Sequence, residues 1–131
     1  MNKLYVDAVH DQARVMFSGL QNDDSPFRNV QVVKFISGFN VDTLISAGKQ
    51  VCKSIATESP KPGKYEHERY TSTLEKINAY LSSRFVLPDD PGYKQLDDDH
   101  QKFLIFNIRE VMSEIIIDNA EAAYCPDLLT K

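Results

Sequence analysis

The feature that most restricts this chain is the segment from His100 to Tyr124, where Phe103, Leu104, Ile105, Phe106, Ile108, Val111, Met112, Ile115, Ile116 and Ile117 fall around most of a helix. A surface helix carries a single apolar stripe, so one that is apolar on nearly every side needs neighbours on several sides. Asp97, Asp98 and Asp99 supply an N-cap and first-turn acids for it, and Cys125 and Pro126 close it. The sequence therefore predicts an all-α bundle built around its last helix. Asn107, Arg109, Glu110, Ser113 and Glu114 interrupt the apolar runs well short of the ~20 residues of a bilayer span, so no transmembrane segment is expected.

Four further helices are predicted upstream. From Leu4 to Leu20, Tyr5, Val9, Ala13, Met16 and Leu20 recur at three- and four-residue steps on one face. Ser25 and Pro26 read as the start of a second helix ending at Gly38, with Phe27, Val30, Val33 and Ile36 facing the core. The β-branched run Val30 to Val33 also suits a strand. Asn40 caps a third helix to about Ala56, whose inner face carries Leu44, Ile45, Gly48, Val51, Cys52 and Ile55. After a loop from Thr57 to Gly63, Tyr70, Leu74, Ile77, Leu81 and Phe85 mark a fourth helix, stopped by Pro88. With 131 residues, 42% hydrophobic and 26% charged, the chain is long enough for one core and is expected to fold as a single compact bundle of about five helices over 1–131. Residues 1–24 would form an additional N-terminal helix before a helical core over 25–126.

The two cysteines, 73 positions apart, lack the His partners of a structural zinc site, and two buried free thiols or a disulfide both remain open on count alone. Neither belongs to a Cys-x-x-Cys motif, and no positive cluster adjoins Cys125 to lower a thiol pKa.

The stretches Phe35-Ile36-Ser37-Gly38-Phe39, Ala47-Gly48-Lys49-Gln50-Val51-Cys52 and Ala122-Ala123-Tyr124-Cys125-Pro126 resemble an actinobacterial family of small secreted proteins, domain of unknown function 732. The likeness covers roughly residues 30 to 57 and 100 to 126. In that family an Ala-Gly-x-x-Val-Cys helix and a terminal Tyr-Cys-Pro motif carry paired half-cystines, so the resemblance implies a disulfide between Cys52 and Cys125. Such a link closes a long loop and would contribute up to ~4 kcal/mol by restricting the unfolded chain. Gly48, one turn before Cys52, would let two backbones approach closely. Here the segment between the motifs is longer than usual, and a further helix precedes them. Met1 to His10 lack the apolar stretch of a secretory signal, so the resemblance implies a secreted or cell-envelope protein whose signal has been removed, the alternative being a cytoplasmic one.

Several clusters invite a chemical reading. Asp97, Asp98, Asp99 and His100 could share a cation, yet consecutive residues at a helix start diverge, and capping explains them better. Tyr65, Glu66, His67, Glu68 and Arg69 read as a solvated helix face with i to i+4 charge pairing rather than an acid or base. No nucleophile elbow, phosphate loop or zinc-protease pattern is present, so no catalytic residue, cofactor or metal ligand is nominated.

The expected function is a non-catalytic secreted or cell-envelope binding module whose partner is another envelope protein, contacted through the first helix or through the loops Thr57 to Tyr65 and Leu87 to Leu96. The main rival is a cytosolic helix-turn-helix regulator, with the link Phe39-Asn40 and a helix presenting Ser46, Lys49, Gln50 and Lys53. A net charge of -4 argues against nucleic acid, Lys34 occupies a position where a small residue is usual, and Lys61 and Lys64 would have to extend the basic stripe. A small hydrolase using His67 or His100 is the last alternative.

Overall fold

The computed structural model describes residues 2–57 and 66–126. Its helices are α1 (Asn2–Phe17), α2 (Val32–Ile36), α3 (Val41–Thr57), α4 (Glu66–Arg84), α5 (Pro91–Lys94) and α6 (Asp98–Tyr124), with a 3-10 turn at Ser18–Gln21. There is no strand among the described residues. The all-α bundle expected from the sequence is present, with the single-turn α5 added between the fourth and last long helices.

The last helix is the hub, as its patterning required: α6 packs on α1, α3 and α4 together. Leu104, Ile108, Met112, Ile116 and Ile117 are buried along it. Phe103 and Phe106, expected inside, are more than half exposed. They lie on the side of α6 that no other long helix covers, although Phe103 stacks on the buried Phe27, centroids 6.0 Å apart.

Two other expectations are corrected by register. On α1 the buried residues are Tyr5, Val6, Val9, Ala13 and Phe17, centred on a four-residue ridge, so Met16 is 59% exposed and Phe17 takes its place. On α2 the helix begins at Val32, not at Ser25. The Ser25 hydroxyl accepts from Phe27 N at 3.0 Å, and the Arg28 and Val30 amides donate only three residues back, to Ser25 and Phe27. Gln21 fastens this turn from the end of the first helical segment, its side-chain amide donating to the Phe27 and Val30 carbonyls. The late start rotates the helix face, burying Val32 and Phe35 and leaving Val33 60% exposed.

The remaining elements follow their local signals. Asn40 Oδ1 accepts from Thr43 N at 2.7 Å and starts α3, which buries Leu44, Ala47, Val51 and Ile55. On α4 the buried residues are Thr73, Ile77 and Leu81, and beyond its end Phe85 packs on Phe39 with centroids 5.0 Å apart. Asp97 caps α6 by accepting from His100 N at 2.8 Å.

Candidate functional site

Three places bring together residues with chemical or binding potential. The first is the end of the bundle where the chain termini of α1 and α6 meet. Cys52 and Cys125 form a disulfide there, with Cα atoms 5.9 Å apart, joining α3 to the end of α6. Beside it the Tyr5 hydroxyl donates to the Leu44 carbonyl at 2.6 Å, and the Tyr5 and Tyr124 rings pack at 5.1 Å. Burial, and then Tyr124, push the Tyr5 phenol well above its ordinary pKa, so it stays a neutral donor. Tyr124 in turn donates to Asn2 Oδ1 at 2.6 Å. Gly48 makes room for this arrangement: a Cβ there would lie 2.8 Å from the Tyr5 ring and 3.0 Å from that of Tyr124. The close approach expected at Gly48 therefore involves two aromatic rings rather than a second backbone.

The second is the segment Leu87 to Leu96, expected as an exposed contact loop. Its Asp90 is 1% exposed and accepts from Tyr93 N at 2.9 Å and from Gln31 N at 3.4 Å, with the Lys34 ammonium 3.8 Å away. Tyr93 packs on the buried Phe35, and a Cβ on Gly92 would sit 2.0 Å from the Asn29 carbonyl oxygen. This segment is docked on the chain around α2 through Asp90, Gly92 and Tyr93, while Leu87, Asp89, Lys94 and Gln95 stay exposed. At its surface Lys94 pairs with Asp89, which holds the Asp89 carboxyl below its ordinary pKa.

The third place is an open groove between α1 and α6, which run antiparallel. Gln12 and Asn119 pair across them at 3.1 Å, and beside this pair lies an open cavity of about 350 Å³. Its floor is apolar: Val15, 72% exposed, and Met16 from α1, with the buried Ile115 from α6. Its rim is acidic, with Asp11 on the α1 wall and Glu114 and Asp118 on the α6 wall. Asp11 is already paired with Arg14. Among the described residues no cation pairs with Glu114 or Asp118. Partial burial, and then the neighbouring Glu110 and Asp118 charges, raise the Glu114 pKa, and partial burial raises that of Asp118. Glu114 is half-buried and Asp118 exposed, and among the described residues neither has a counter-charge.

The residues singled out in the sequence do not converge on one centre. His100 is bound back to Asp97, its Nδ1 lying 2.8 Å from the carboxylate, and the His100 amide and ring together lower the Asp97 pKa. Among the described residues no group of three or more His, Cys, Asp or Glu side chains is placed to hold a metal ion. The side chains of residues 66–70, including His67, and the loop residues 58–65, including Lys61 and Lys64, lie outside the described parts. Ser46, Lys49, Gln50 and Lys53 are exposed along α3, but the helix before them, α2, is a single turn of five residues. No described helix is long and apolar enough to cross a membrane.

The three- and four-residue spacing of α1 places Met16 on the core face, whereas in the structure it lines the groove. One signal for it was available: Glu110, Glu114 and Asp118 stand at successive four-residue steps, a like-charged row that isolated helices disfavour. No protein-family model, curated protein or solved structure matches this chain.

Proposed function

We propose that the chain is a non-catalytic interaction module, secreted or held in the cell envelope, that docks a protein partner in the groove between α1 and α6. The observation that carries this reading is the groove itself, where exposed Val15 and Met16 lie beside Glu114 and Asp118, which pair with no cation among the described residues. Apolar surface rimmed by polar groups is how binding surfaces differ from the scattered apolar residues of an ordinary exterior. The Cys52–Cys125 disulfide supports an oxidising location, since such links persist outside the reducing cytosol. The resemblance of the Ala47–Cys52 and Ala122–Pro126 stretches to small secreted actinobacterial proteins supports the same location.

The test is site-specific photo-crosslinking in the producing cells, with the cross-linker at Met16 and, as a control, at the exposed Lys102 on α6. The reading predicts one defined adduct at Met16 alone, competed by unlabelled wild-type protein but not by the variant Val15→Asp/Met16→Asp. Equal adducts at both positions, or equal competition by the variant, would refute it.

A second reading, DNA binding through α3, is favoured by the exposed Ser46, Lys49, Gln50 and Lys53, and opposed by the net charge of -4 and the one-turn α2. Retention of labelled DNA at moderate salt, lost on Lys49→Ala/Lys53→Ala, would establish it in place of the first.

A further inference from the structure

We draw no further inference here: the strongest candidate, the cavity of about 480 Å³ where Asp7, His10, Asp11 and Arg14 of α1 face Val33 and Ser37 of α2, carries nothing, because Asp11 and Arg14 are paired with each other and no second observation says what would fill the acidic and apolar lining that remains.

Discussion

The two ends of the antiparallel α1–α6 pair are made of the same two helices and have opposite character. At the end holding Asn2 and Tyr124 the polar groups are matched: Tyr5 donates to Leu44 and Tyr124 to Asn2, Gly48 gives way to both rings, and a disulfide ties α3 to the end of α6. At the end holding Val15 and Ile115 an apolar floor lies open between the helices, and among the described residues Glu114 and Asp118 pair with no cation. Stability is concentrated where the polar groups are matched, and binding capacity where they are not. A protein that spent its complementarity evenly along the pair would have neither the clamp nor the groove.

Replacing both cysteines, as Cys52→Ser/Cys125→Ser, gives the largest expected effect, a loss of about 3 to 4 kcal/mol in denaturant unfolding from a loop this long. A loss under about 1 kcal/mol would mean that the tyrosine cluster, not the disulfide, holds this end. Gly48→Ala comes next. Its Cβ must push against the buried Tyr5 ring, an overpacking cost of ~1–3 kcal/mol, offset by the ~1 kcal/mol that alanine gains over glycine within a helix. A net loss of about 1 kcal/mol is expected, rising with Gly48→Val, whose extra methyls meet both rings.

At the open end the same measurements should read almost nothing. Val15→Asp/Met16→Asp should change the unfolding free energy by no more than about 0.5 kcal/mol, because both side chains are already exposed, yet it should abolish the Met16-region binding. A loss near that of the cysteine variant would place these residues in the core and erase the contrast.

The smallest effect is one of pH. Because Glu114 and Asp118 have raised pKa values in the folded chain, folding binds protons at these sites, and their ionised forms are a burden at neutral pH. Glu114→Gln/Asp118→Asn should therefore be slightly more stable than wild type at pH 7. That advantage should shrink as pH falls through the raised values and vanish below the ordinary values of 4.5 and 3.8. Urea midpoints collected against pH would show it, and an advantage that grew on acidification would contradict the sign.

The helix caps and the central place of α6 were legible in the sequence, and the open groove was not. Helix capping by Asn40 and Asp97 is local chemistry, three residues in reach, and both caps form as read. The all-round apolar pattern of α6 correctly made it the hub. The start of α2 could not be read locally, because Gln31 N is taken up by Asp90, 59 positions away, and that distant contact shifts the helix face from Val33 to Val32. Steps of three and of four are equally helical, so spacing alone does not choose between Met16 and Phe17, and the tertiary packing of α1 selects Phe17. A groove is the space between two elements, so spacing within either helix leaves it out; the acidic row on α6 was its sole trace in the sequence.

The contrast between the ends is tested most directly by amide hydrogen exchange along α1 and α6. Amides around Tyr5 to Val9 and Ile116 to Ala120 are expected to exchange only with global unfolding, and those of Val15 to Phe17 faster, through local opening. Uniform protection along α1 would contradict the contrast.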